Sequence, residues 1–228
     1  MKLIYVGKTK NVFMNDSGTY TLKLKDDATG KDGVFDPGEN AVGLSIEGLG
    51  RESLKLSAYF FEILKNHDIP THYVSHDLSA NEMEVVPAKI FGKGIEFVCR
   101  LKADGSFVKR YGGYCNKKDD LDFLVETTIK DDDRNDPPVT LDILVKLDIM
   151  TSEEYEFCKQ LTKKAAVVID DELKTKGLTL YDIKFEFGKG PAGVILIDEI
   201  SAGCMRVYKD DTIVPPMDLG KYIFQKEG

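Results

Sequence analysis

The sequence predicts a mixed chain of strands and helices in two lobes: a small β-rich lobe over residues 1–85 and a larger mixed lobe over 86–228. Three observations carry this: an opening run of short apolar strands, two amphipathic helical stretches, and two late β-rich runs around a glycine-rich turn. With 228 residues and 42% hydrophobic content the chain can bury a core unaided.

Residues 1–27 read as two or three short strands, because Leu3, Ile4, Tyr5 and Val6 lead into a Gly7 turn, and Val12-Phe13 and Tyr20 to Leu24 follow in partial alternation. Residues 28–50 are rich in Gly and Asp without sustained periodicity, which predicts a long loop that carries function or moves. From about Glu52 to Asn66, Leu54, Ala58, Phe61 and Leu64 recur at spacings of four and three, the stripe of an amphipathic helix that Pro70 prevents from continuing. Short strands fit Thr71 to Val74, Glu82 to Ile90 and Glu96 to Leu101, with Pro87 as the crossing between the lobes. Thr151 with Glu154 predicts a capping box, and Cys158, Leu161, Ala165 and Val168 keep one helical face until Gly177. Leu178 to Gly188 and Val194 to Ile200 then form a hairpin around the five-residue turn Lys189 to Gly193.

A net charge of −8 argues against a broad nucleic-acid surface, so any phosphorylated ligand must meet positive charge gathered locally. No run approaches the roughly 18 to 20 apolar residues of a membrane span, and Met1 to Gly7 is too short for a signal peptide, which predicts a cytoplasmic protein without a membrane partner. Cys99, Cys115, Cys158 and Cys204 form no CxxC pair and read as reduced structural thiols. His67, His72 and His76 share no metal-binding spacing with carboxylates, and neither GxSxG nor HExxH occurs, so hydrolase and zinc readings lose their support.

Four segments have the residue types for chemistry. In the late hairpin Asp182, Lys184 and Glu186 alternate onto one wet, charged face, while Ile183, Phe185 and Phe187 turn to the core. With Glu186 opposite Leu196, Asp198 lies diagonally from Glu186, and two converging carboxylates suit Mg²⁺; from spacing alone the same face also reads as solvated ion pairs. Lys8 and Lys10 beside Gly7 can meet phosphates or be plain surface charge. Arg100, Gly105, Ser106, Lys109 and Arg110 can grip a phosphate or carboxylate, or be a solvated charge run. Lys130 to Pro138 is dense in acid and ends in a rigid turn that can present a carboxylate to an amine, or is an exposed polar loop.

Taken in order, Tyr5-Val6-Gly7-Lys8-Thr9-Lys10-Asn11-Val12-Phe13, Lys25-Asp26-Asp27-Ala28-Thr29, Ile69-Pro70-Thr71-His72, the stretch from Gly105-Ser106 to Lys109-Arg110-Tyr111-Gly112, Asp136-Pro137, Asp182-Ile183-Lys184-Phe185-Glu186-Phe187-Gly188 and Asp198-Glu199-Ile200-Ser201 resemble the SAICAR synthetase family. The resemblance runs from about residue 3 to residue 208, and its most specific part is Asp182 to Gly188 followed by Asp198-Glu199.

The resemblance implies an α+β fold of the SAICAR synthetase type, related to ATP-grasp proteins, and an ATP- and Mg²⁺-dependent ligase. It implies that the γ-phosphate of ATP activates the carboxylate of carboxyaminoimidazole ribotide and that the amine of L-aspartate displaces phosphate, giving SAICAR and ADP in purine biosynthesis. By the same analogy Lys8 and Lys10 contact phosphates, Glu186 and Asp198 bind metal and nucleotide, and Lys184 and Asp136 act catalytically. Arg100, Ser106 and Arg206 bind the ribotide, Asp32 with Gly33 lies in a loop that closes near the reacting groups, and a homo-oligomer, a dimer, is implied. The chain departs from the family pattern at Cys99, Leu101, Asp104, Ala202 to Met205 and in a shortened end from Met217 to Gly228. Those departures keep two alternatives in view: a divergent ligase using another amine or carboxylate, and a catalytically idle ATP-binding module.

Overall fold

The computed structural model describes residues 1–39 and 41–225; Asn40, inside the predicted loop, and Lys226 to Gly228, at the end of the predicted larger lobe, lie outside the described residues. The chain opens as the expected meander of Lys2–Val6 (β1), Lys10–Met14 (β2) and Tyr20–Leu24 (β3). Leu22 and Leu24 are buried while all of β1 is exposed, because β1 forms the sheet's edge.

The stretch expected as a long loop folds instead into a small sheet, in which Asp27–Lys31 (β4) pairs with both Val34–Phe35 (β5) and Val42–Ser45 (β6). The β4–β5 turn is Asp32-Gly33, with φ of 52° and 78°, the left-handed pair that an Asp-Gly hairpin turn uses. Leu49–Asn66 (α1) follows and buries the predicted Leu54, Ala58, Phe61 and Leu64. Tyr73–Asp77 (β7) and Glu82–Val85 (β8) complete an antiparallel sheet of order β1-β2-β3-β8-β7. The strand expected from Glu82 to Ile90 is broken at Pro87, which has no N–H to continue a ladder: the chain leaves the first sheet at Val85 and enters a second at Lys89–Ile90 (β9).

The second sheet is built on Ile95–Lys102 (β10), which leads through the short helix Gly105–Tyr111 (α2) to Asp120–Ile129 (β11). After Leu141–Lys146 (α3) comes the longest helix, Ser152–Thr175 (α4). Its predicted capping box is present: Glu154 N–H donates to Thr151 Oγ1 at 3.2 Å and Thr151 N–H donates to Glu154 Oε2 at 3.0 Å. Gly177, at φ 67°, turns the chain out of α4.

Thr179–Gly190 (β12) is long enough to pair with β10 and β9 along one edge, and with Met205–Lys209 (β14) and then Gly193–Ile197 (β13) along the other. Thr212–Ile213 (β15) and Leu219–Ile223 (α5) follow. The β12–β13 hairpin pairs Gly190 with Gly193, so its turn is Pro191-Ala192 rather than five residues, and Glu186 faces Ile197 rather than Leu196. α4 covers one face of this sheet, where Phe97 and Phe187 meet edge-to-face at 5.4 Å. Among the described residues no helix is long and apolar enough to cross a membrane.

Candidate active site

Strand register builds the site. On the face of the second sheet opposite α4, Thr128 of β11, Glu96 of β10 and Glu186 of β12 form one cross-strand row. Glu126, Val98 and Lys184 form the next, and Arg100, Asp182 and Arg206 the third. The alternation expected of Asp182, Lys184 and Glu186 is present, but the face is not wet: Asp182 and Glu186 are 4% and 8% exposed. Their charges are hidden and paired rather than solvated.

Two cavities open on this face and share a wall that includes Glu96, Asp136, Lys184 and Cys204. The first lies toward the first sheet, between an apolar side of Leu24, Ala28, Phe35 and Leu49 and a charged side of Lys8, Lys10, Lys130, Glu186, Asp198 and Glu199. Lys10 forms ion pairs with both Asp198 and Glu199, Lys8 Nζ reaches Asp132 Oδ1 at 2.6 Å, and Lys130 Nζ donates to Glu186 Oε1 at 2.6 Å. The second cavity is lined by Arg100, Ser106, Lys109, Arg110, Asp182 and Arg206. There Arg206 Nη1 donates to both oxygens of Asp182 at 3.1 and 3.0 Å, its Nη2 donates to Asp36 Oδ1 at 2.7 Å, and Arg100 Nη2 donates to Ser106 Oγ at 2.9 Å. A Cβ on Gly105, itself at φ 51°, would stand 2.6 Å from Arg206 Cζ, so only glycine lets the guanidinium through.

The electrostatics follow from burial and pairing. Burial opposes the charge on Lys10, but Asp198 and Glu199 overcome it and hold the ammonium well above its ordinary range; Glu96 does the same for Lys184. Burial also opposes ionisation of Asp198, yet Lys10 keeps that carboxyl well below the usual value. Burial and the neighbouring Asp198 push Glu186 up, and push Glu199 up to about 7. Asp136 is raised by burial and by Glu96, while its Oδ1 accepts the Asp131 N–H at 2.7 Å. His72 is buried, which lowers it to about 4, and its Nε2 stands 2.9 Å from the carbonyl oxygen of Asp198, whose φ is 75°. A neutral imidazole thus pins the turn that presents Asp198 and Glu199 to Lys10.

Among the described residues no three His, Cys, Asp or Glu side chains group as a metal site. The donor set still suits Mg²⁺, which takes one or two carboxylates and completes its shell with water and phosphate oxygens. Asp198 Oδ1 is buried against the Lys10 ammonium without a hydrogen bond of proper geometry, and Glu186 carries the like-charge penalty of a shared site.

The structure brings Lys8, Lys10, Asp136, Lys184, Glu186 and Asp198 to the first cavity, and Arg100, Ser106 and Arg206 to the second. It does not bring Asp32, which sits exposed at the tip of the β4–β5 hairpin; Asp36, four residues on, makes the contact to Arg206 instead. Sequence reasoning missed Glu96, Lys130 and Glu199, which line the first cavity, and Asp36 and Glu126, which hold Arg206 and Arg100. For Glu96 a signal existed, since Glu96, Val98 and Arg100 alternate in a predicted strand as Asp182 and Glu186 do. Of the departures, Cys99 and Leu101 are buried in the opposite face, and Asp104 caps α2 by accepting the Gly105 N–H at 2.8 Å and the Tyr208 hydroxyl at 2.6 Å. Of the others, Gly203 lines the first cavity and Cys204 lines both, its thiol pushed up to about 12 by burial.

The SAICAR synthetase family pattern matches residues 3–227. The chain belongs to the SAICAR synthetase family. A phosphoribosylaminoimidazole-succinocarboxamide synthase of Clostridium tetani is 52% identical over 99% of this chain and 100% of its own length. A SAICAR synthetase solved by structural genomics is similar at 34% identity with a TM-score of 0.80, covering 96% of this chain and 94% of that one. A second, a SAICAR synthetase in complex with ADP, is similar at 27% identity with a TM-score of 0.81, covering 97% of this chain and 91% of that one. The α+β architecture is thus the synthetase family's, and the two cavities lie in a fold that binds ADP in that relative.

Proposed function

We propose that the chain is the ATP- and Mg²⁺-dependent ligase that joins carboxyaminoimidazole ribotide to L-aspartate, yielding SAICAR, ADP and phosphate in purine biosynthesis. The observation that carries the reading is the shared wall: a cavity rich in lysine and carboxylate meets one rich in guanidinium, with Lys184, Glu96 and Asp136 between them. Phosphoryl transfer needs two anionic reactants held close and neutralised, and this wall is where they meet.

In this reading Lys8 and Lys10 hold the phosphates of ATP, and the apolar side of the first cavity receives the base. Arg100, Ser106 and Arg206 hold the ribotide. Lys184 stands beside the γ-phosphate as the ribotide carboxylate oxygen attacks it and ADP departs. The aspartate nitrogen then attacks the carbonyl carbon of the acyl phosphate, phosphate leaves, and Asp136, whose raised pKa makes it a better base than a free carboxylate, takes the amine proton. Glu186 and Asp198 would hold Mg²⁺, which would supply charge neutralisation for the transferring group. Residues 1–85 form the nucleotide lobe and 86–228 the lobe with metal and substrate residues, in a cytoplasmic homodimer; the exposed apolar edge strand β1 supports the association.

The test is incubation with MgATP, aspartate and the ribotide while following ADP and the succinocarboxamide together. Coupled formation of both, lost in Glu186→Ala and Asp198→Ala, is the expected result. ATP binding without either product overturns the reading.

A further inference from the structure

Arg100 on β10 and Arg110 on α2 both line the second cavity, yet they come from different elements and carry long side chains with many rotamers to lose. They converge on one carboxylate. Arg100 Nε donates to Glu126 Oε2, and Arg110 Nη2 donates to Glu126 Oε1 and Oε2, both at 2.8 Å. The rest of the Arg100 guanidinium is fixed by Ser106 Oγ at 2.9 Å and by Asp182, whose Oδ2 stands 3.6 Å from Nη1. Glu126 does not itself line the cavity, and Val98 lies between it and Lys184 in the cross-strand row, so its carboxylate is committed to the two guanidiniums.

A guanidinium is planar with five donors, so tying Nε, as in Arg100, or one terminal nitrogen, as in Arg110, restricts where the other donors point. We propose that Glu126 is a positioning residue: it sets the planes of Arg100 and Arg110 so that they and Ser106 present one donor array to a phosphomonoester. This rests on the reading that the second cavity takes the ribotide. A carboxylate near an anion subsite weakens anion binding by Coulomb repulsion, so positioning and plain charge predict effects of opposite sign on removing it.

Steady-state kinetics of the full chain with each substrate varied decide between them. Glu126→Ala is expected to raise KM for the ribotide about tenfold or more while KM for ATP and aspartate stays within about twofold; Glu126→Gln, which keeps one acceptor oxygen, falls between. A ribotide KM that is unchanged or lowered overturns the proposal, and so does an equal rise in all three values with a lowered melting temperature. If Glu126→Ala does not fold, the ribotide KM of Glu126→Gln decides by the same readout. Calorimetric binding of ribose 5-phosphate tests the point without turnover, where binding about tenfold weaker in the variant supports it and equal binding overturns it. A wild-type chain that binds this phosphomonoester but makes no product sinks the reading of the reaction and leaves the assignment of Glu126 intact.

Discussion

The two faces of the second sheet come from alternate residues of the same strands and are chemically opposite. Phe97, Cys99, Ile183, Phe185 and Met205 lie under α4; Glu96, Arg100, Asp182, Glu186 and Arg206 lie on the other side, none more than 8% exposed. Burial drives the first face, at about 25 cal/mol per Å² of apolar surface. It opposes the second, where each ion loses hydration worth several kcal/mol and recovers it only through pairing. A fold seeking stability alone would put apolar residues on both sides. Charges kept there at such cost mark the side where ligands are handled.

The sharpest way to break this comparison is Glu186→Ala. Product formation should fall at least ~100-fold, while the urea midpoint moves little, since a carboxylate repelling Asp198 is removed as well. Phe97→Ala on the other face should do the reverse and cost about 3–5 kcal/mol of stability, measured by urea unfolding, with the surviving folded fraction still active. His72 sharpens the comparison through pH. Folded, it titrates near 4 against an ordinary 6.5, so between those values the unfolded chain takes up a proton that the folded chain refuses. Stability should therefore fall as pH drops from 6.5 to 4, by on the order of 2–3 kcal/mol, and His72→Gln should remove that share of the loss in acid unfolding curves. The smallest effect separates two aspartates of one hairpin: Asp32→Asn should change kcat/KM by less than about twofold, whereas Asp36→Asn, which weakens the contact to Arg206, should lower it roughly three- to tenfold.

The long helices were legible because their stripes and the Thr151–Glu154 box are local signals. The alternating face of β12 was legible for the same reason, and its neighbours were not. Lys10 and Glu199 pair across 189 positions, and Glu126 is a lone charge whose meaning comes from cross-strand register, which no local pattern encodes. The small sheet hid because its strands are two to five residues long and two of them carry a glycine, Gly30 and Gly43, so no apolar alternation shows. The same shortness bears on the β4–β5 hairpin: composition marked the segment, but only the turn geometry puts Asp32 at the tip and Asp36 against Arg206. In the late hairpin a two-residue turn changed the register by one, which composition around Pro191 could not settle.

Pro87 divides the sheets without dividing the interior. Leu22, Leu54 and Met83 from one side of it and Phe97, Phe187 and Leu196 from the other belong to a single hydrophobic cluster. With one interior, loosening the first sheet uncovers the side chains that support β12 and β13 as well. Both cavities should then be lost together under heat or denaturant, leaving no half-site able to hydrolyse ATP without its acceptor.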